Sequence, residues 1–170
     1  MKDQIIQTDR KPTKPFEPTD ALKAAIEHEM HHYEDSRSAS IEALKMVQKH
    51  HGWVPDEAIS YIANIIGISA ADVEGVATFY SQIFRQEVGR HIIRVCDSMV
   101  CFMAGHDPVL ESIKKKINAD LGQTSEDKRY TLLPVCCLGN CDKAPAMMVD
   151  DDTYGNLTAE TVSEILEAYK

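Results

Sequence analysis

No run of the sequence reaches the roughly 18 consecutive apolar residues that a helical membrane span needs. The N-terminus also lacks the charged-then-apolar segment of a secretion signal. The expected setting is a reducing cytoplasm, where disulfides are uncommon and clustered cysteines are first read as metal ligands or redox groups. Basic residues are scarce too: 18 stand against 27 acidic ones in 170 residues, a formal charge of −9. A nucleic-acid partner and attraction to an anionic membrane both call for a basic face, so neither nucleic acid nor direct membrane insertion is expected. A protein or a small molecule is the better partner. The five cysteines are an odd number, so they cannot all pair internally. A C-x-x-C pair at a helix start is missing, which argues against dithiol oxidoreductase chemistry. No internal repeat is visible.

What is present divides at about residue 85. Residues 1–18 are polar, contain Pro12, Pro15 and Pro18, show no hydrophobic period and read as a flexible leader. From Thr19, Leu22, Ala25, Ile26 and Met30 fit one helical face, and Ile41, Leu44, Met46 and Val47 mark a second helix ending at Gly52. Pro55 can open a third helix carrying Ile59, Ile62, Ala63 and Ile66, stopped at Gly67. Ser69 to Asp72 fits a capping box for a fourth. Residues 19–85 thus read as a helical bundle.

Residues 86–170 follow another grammar. His91 to Val95 is a β-branched run that ends at Cys96, and Tyr130 to Val135 is a second run that ends at Cys136. Between them Asp107-Pro108 caps a helix through Val109, Leu110, Ile113 and Ile117, giving a βαβ unit with parallel strands and a right-handed crossover. A hairpin around Asp150 to Asp152 and a Thr158-capped helix with Val162, Ile165 and Leu166 complete the pattern. The fold class is α+β / α/β: an N-terminal helical bundle followed by a thioredoxin-like α/β domain.

All five cysteines fall in the two loops that leave these strands: Cys96 and Cys101 in one, Cys136, Cys137 and Cys141 in the other. Loops at the carboxyl ends of neighbouring parallel strands converge where open α/β folds place their ligands. Thiolates there can hold zinc, copper(I) or iron-sulfur iron. C-x4-C followed by C-x3-C is possible for structural zinc but off its commonest pattern, and a four-residue gap is at home in [2Fe-2S] loops, which wrap a rhomb larger than one ion. Gly139 and Asn140 tolerate unusual backbone angles and let amides turn toward sulfur. Spacing leaves open whether Cys136 or Cys137 is the ligand.

Cys96-Asp-Ser-Met-Val-Cys101 and Cys137-Leu-Gly-Asn-Cys141-Asp-Lys-Ala-Pro-Ala-Met-Met148 closely resemble the E-subunit family of bacterial respiratory complex I, the small [2Fe-2S] subunits of NADH:quinone oxidoreductase. His51-Gly-Trp-Val-Pro55 and Gly75-Val-Ala-Thr-Phe-Tyr80 extend the resemblance into the helical half, from about residue 22 to the end. The resemblance implies one [2Fe-2S] cluster on Cys96, Cys101, Cys137 and Cys141; Cys136 is read as a buried neighbour that packs under the loop. It also implies a partner flavoprotein subunit that binds NADH and FMN, neighbouring iron-sulfur subunits, and a peripheral seat on the cytoplasmic side of the inner membrane. The role implied is one-electron transfer with the partner's FMN. No complete active site is expected on this chain alone. Asp97 and Asp142 should lower the cluster's potential, and Lys143 with the amides of residues 138–140 should raise it.

Three readings compete. Similar small subunits serve soluble NAD-linked hydrogenases and formate dehydrogenases, and only the helical-half match favours complex I. The same cysteines could form a zinc interaction module. His28-Glu29-Met30-His31-His32 satisfies the zinc-peptidase pattern H-E-x-x-H, although no third ligand is evident and a polar helix face explains it as well. Lys114 to Lys116 read as a solvated helix face, and Phe79, Tyr80, Phe84 and Trp53 as packing residues.

Overall fold

The computed structural model describes residues 15–169, so residues 1–14 of the expected leader lie outside the described residues. The chain divides into two compact units, Met1–Glu87 and Val88–Lys170.

Caps that can be read in the sequence set the helices of the first unit. Thr19 accepts from the Leu22 amide at 3.2 Å and starts α1 (Asp20–Met30), which buries Leu22 and Ile26 but leaves Ala25 exposed. A 3-10 turn at Ser36–Ala39 leads into α2 (Ser40–His51), closed by Gly52 at φ 99°, a left-handed conformation that a Cβ would strain. Pro55 stands just before α3 (Asp56–Ile66), whose stripe of Ile59, Ile62, Ala63 and Ile66 is buried. Ser69 caps α4 (Ala70–Phe79) by accepting from the Asp72 amide at 3.1 Å. Ile26, Leu44, Val47, Val54, Ile62 and Val73 are fully sealed in one core. Burying a side chain of this size contributes about 1.5–3 kcal/mol. Phe16 also packs on this core, edge-on to His51 and Tyr61 at 5.7 and 5.6 Å between ring centroids. Beyond α4, Arg85 reaches back to Asp56 at 2.6 Å, to Glu74 at 2.8 Å and to the Val54 carbonyl, tying the loop to α3 and α4.

Two expected packing residues are not buried: Phe79 is 80% exposed and Tyr80 44%. The buried face of α4 runs through Val73 and Ala77, and Phe79, two residues further on, points away from it.

The second unit is a mixed four-stranded sheet in the order β2-β1-β3-β4. Its strands are β1 (His91–Cys96), β2 (Tyr130–Val135), β3 (Met147–Val149) and β4 (Asp152–Tyr154). β1 and β2 are parallel, in register from His91 opposite Tyr130 to Cys96 opposite Val135. β3 lies antiparallel on the other side of β1 and pairs with β4 through the Asp150-Asp151 turn. A short helix, α5 (Met99–Met103), follows β1 where only a loop was expected. The crossover helix α6 (His106–Ile117) begins one residue before the expected Asp107-Pro108 cap and takes both residues into its first turn. Proline needs no donor there and an aspartate favours the helix dipole.

One sheet face carries Ile93, Val95, Leu132, Met147 and Val149, packed by Val109 and Ile113 of α6 and by Val162 and Leu166 of α7 (Ala159–Ala168). A reciprocal Thr158–Thr161 capping box starts α7. Lys114 and Lys116 form surface ion pairs, Lys116 with Glu167 at 2.6 Å. Among the described residues no single helix is long and apolar enough to cross a membrane.

Candidate metal centre

Because β1 and β2 are parallel and in register, both end at one edge of the sheet, and the Asp97 amide donates to the Val135 carbonyl at 3.0 Å just beyond it. The two cysteine-bearing loops therefore start side by side. Cys96 closes β1 and Cys101 lies in α5; they are 2% and 1% exposed and form a small apolar cluster with Ala146, backed by Leu138 and Ala144. Ala146 ties this pair to the sheet, accepting from the Cys96 amide at 3.1 Å while its backbone bonds to the Cys101 sulfur. His106, buried at the start of α6, donates from Nδ1 to the Cys96 carbonyl at 3.0 Å.

The other loop is open to solvent, with Cys136, Cys137 and Cys141 all exposed. Gly139 adopts φ 75°, and its amide donates to Cys137 Sγ at 3.3 Å, the kind of amide-to-sulfur bond expected for this loop. Cys141 opens a 3-10 turn, Cys141–Lys143, in which the Lys143 amide bonds back to the Asn140 carbonyl at 3.1 Å.

The thiols associate as two pairs. Burial pushes the Cys101 thiol up from its ordinary pKa, and a hydrogen bond with the Cys96 thiol adds to this. A hydrogen bond with the Cys137 thiol pushes Cys141 up, and the charges of Cys137, Cys96 and Asp142 push it further. Across the pairs the influence is that of charge: Cys141 acts on Cys101, and Cys96 on Cys141. The expected burial of Cys136 is corrected: β2 is an edge strand that leaves the sheet at an exposed Pro134 and a half-buried Val135, so among the described residues nothing covers the residue that follows.

Among the described residues no three His, Cys, Asp or Glu side chains come together as ligands of one ion. A tetrahedral zinc site needs all its ligands around one point. A two-iron rhomb is held by two thiolates on each iron, and two thiol pairs within each other's electrostatic reach suit that demand. Among the described residues the H-E-x-x-H segment likewise gathers no third ligand. α1 ends at Met30, the rings of His28 and His32 touch edge-on at 5.1 Å, and the Glu29 carboxylate is engaged by His32 at 3.3 Å and by the Tyr33 hydroxyl at 3.3 Å.

Thiols on two loops at the carboxyl end of a parallel strand pair, on a mixed sheet with helices, are an arrangement that an α/β iron-sulfur carrier would use. The pattern that defines the thioredoxin-like [2Fe-2S] ferredoxins matches residues 26–170, and the chain belongs to that family. It is 64% identical over 165 residues to the E subunit of the NADH-quinone oxidoreductase of Pseudomonas aeruginosa, covering 97% of this chain and 96% of that one. To the corresponding E subunit of Escherichia coli it is 63% identical over 158 residues, covering 93% and 95%. Among solved structures, an NAD+-reducing [NiFe]-hydrogenase in the H2-reduced state shares the fold over 80% of this chain, with a TM-score of 0.67 at 19% identity. This chain spans only 23% of that hydrogenase chain.

Sequence reasoning missed two features of the site. One is α5, which turns Cys101 inward while Met99, Val100, Phe102 and Met103 stand 70%, 45%, 59% and 80% exposed around it. Five residues with no polar position show no helical period; Ser98 just before them was the available signal. The other is His106, whose bond to the Cys96 carbonyl depends on α6 packing beside β1 and leaves no trace in spacing.

Proposed function

We propose that this chain is the one-electron-carrying [2Fe-2S] subunit of an NADH:quinone oxidoreductase, with Cys96, Cys101, Cys137 and Cys141 as the ligands and Cys136 as the spare thiol. The observation that carries the assignment is the parallel, in-register β1–β2 pair, which starts both cysteine-bearing loops at one sheet edge, with Cys96 and Cys101 buried against Ala146 and the Gly139 amide donating to Cys137 Sγ rather than to Cys136. The identity to the Pseudomonas and Escherichia E subunits over nearly their whole length supports membership of such a complex. When bound, a [2Fe-2S] cluster supplies reversible storage of one electron.

The chain's own residues do the rest. Cys96 and Cys101 hold the inner side in an apolar pocket that excludes water. The Gly139 and Ala146 backbone amides bond to sulfur and favour added negative charge, while Asp142, beside Cys141, opposes it. The apolar ridge of Met99, Val100, Phe102 and Met103 around Cys101 is the face that meets the partner, because a group of large exposed apolar side chains marks a protein contact. That partner is the NADH- and FMN-binding flavoprotein subunit, with which single electrons are exchanged, in an assembly on the cytoplasmic side of the membrane.

Serine variants test the ligand set. Cys136→Ser should keep the visible absorption of the cluster and Cys137→Ser should lose it; the reverse outcome would exchange the two assignments.

A further inference from the structure

Gly155, just after β4, is a glycine for lack of space. An ideal Cβ there would lie 2.6 Å from Lys143 Cβ, 2.7 Å from the Lys143 carbonyl oxygen and 2.9 Å from the Asn140 side-chain nitrogen. Separations below 3.0 Å force movement, and two of the three atoms belong to or adjoin the backbone of the turn that begins at Cys141. The next residues staple the same turn: the Asn156 amide donates to the Lys143 carbonyl at 2.6 Å and the Leu157 amide to the Pro145 carbonyl at 3.2 Å. Leu157 is anchored in the core of the α/β unit. Residues 155–157 are therefore a rigid backing strip, and residues 140–145 lie directly on it.

We infer that Gly155 is a positioning residue for the cluster: its missing side chain lets the Asn140–Ala144 backbone seat against the sheet, and this sets where the Cys141 sulfur stands relative to the Cys96–Cys101 pair. The inference rests on Cys141 being a ligand, as proposed above. It adds a determinant of the cluster's properties that is neither a ligand nor a donor to sulfur. Any Cβ at 155 must either push the Cys141 turn outward or break the Asn156–Lys143 bond, and either result moves a ligand without touching one. Gly75 makes the contrast: it is helical, in α4, and a Cβ there meets nothing within 4 Å.

The test compares the full chain, carrying its cluster, as wild type, Gly155→Ala, Gly155→Ala with Lys143→Gly, and Gly75→Ala. Far-ultraviolet circular dichroism reports folding, redox titration reports the potential, and the electron paramagnetic resonance of the dithionite-reduced protein reports the ligand geometry. Gly155→Ala should fold, yet change the one-electron reduction equilibrium at least threefold, which is about 28 mV at 59 mV per tenfold. Its resonance line shape should change as well; loss of at least half the bound iron from a folded chain counts the same way. Lys143→Gly removes the closest of the three contacts and should return the resonance line shape part of the way, the potential not being compared for this variant because the Lys143 charge itself acts on it, while Gly75→Ala should match wild type in both readouts. A folded Gly155→Ala protein with wild-type potential and line shape would overturn the inference, and so would a variant that fails to fold at all, since the glycine would then serve the scaffold. If wild type itself takes up no iron-sulfur cluster, the functional reading falls and the inference with it, a failure visible before any variant is compared.

Discussion

The two cysteine pairs differ in what holds them. Cys96 and Cys101 leave the sheet through a strand end and a short helix, are sealed from solvent and share a pocket with Ala146. Cys137 and Cys141 sit in an exposed loop and a single 3-10 turn, shaped by one amide-to-sulfur bond and by the backbone of residues 155–157. The inner pair is placed by apolar burial; the outer pair is placed by local backbone bonds. The two halves of the proposed site thus differ in how firmly the fold holds them.

Serine substitution should break this comparison most visibly. Every ligand variant should lose the visible absorption, but Cys96→Ser and Cys101→Ser should also destabilise the cluster-free chain by about 1–3 kcal/mol, because a hydroxyl is left in an apolar pocket. Cys137→Ser and Cys141→Ser, on the exposed side, should stay within about 0.5 kcal/mol of wild type. Denaturant unfolding of the four cluster-free variants makes the measurement, and equal losses in all four would erase the distinction.

Thiol labelling sharpens it next. In the cluster-free chain Cys136, Cys137 and Cys141 should react first, and Cys96 and Cys101 only after local opening, where a cost of about 1.4 kcal/mol already slows the reaction tenfold. With the cluster bound, only Cys136 should still label readily. Mass spectrometry of the labelled peptides would show this, and protection of Cys136 in place of Cys137 would contradict the pairing.

The smallest effect is expected at Gly139, whose φ of 75° costs a side chain about 1–2 kcal/mol. Gly139→Ala should lower the stability of the outer loop by that amount, read from the thermal loss of visible absorption, with little change in the unfolding of the cluster-free core.

Much of this architecture is legible in the chain itself. Thr19, Ser69 and Thr158 signal helix starts, because a side-chain oxygen at the cap position satisfies an amide three residues on. The β-branched run into Cys96 and the run into Cys136 signal parallel strands, because a helix separates them. What is not legible depends on tertiary neighbours. The exposure of Cys136 follows from β2 being an edge strand, the exposure of Phe79 from where the face of α4 turns, and the burial of His106 from the packing of α6 on β1. None of these leaves a period or a spacing to read. Gly155 shows the same limit, since only the facing backbone of Lys143 explains it.

The central claim is that four of the five thiols, in two pairs, hold a [2Fe-2S] cluster. The full chain purified without oxygen decides it through metal analysis joined to the resonance of the reduced protein. Iron and acid-labile sulfide in equal amounts, with a rhombic signal on dithionite reduction, is the predicted result. One zinc per chain, with neither visible band nor signal, would contradict it.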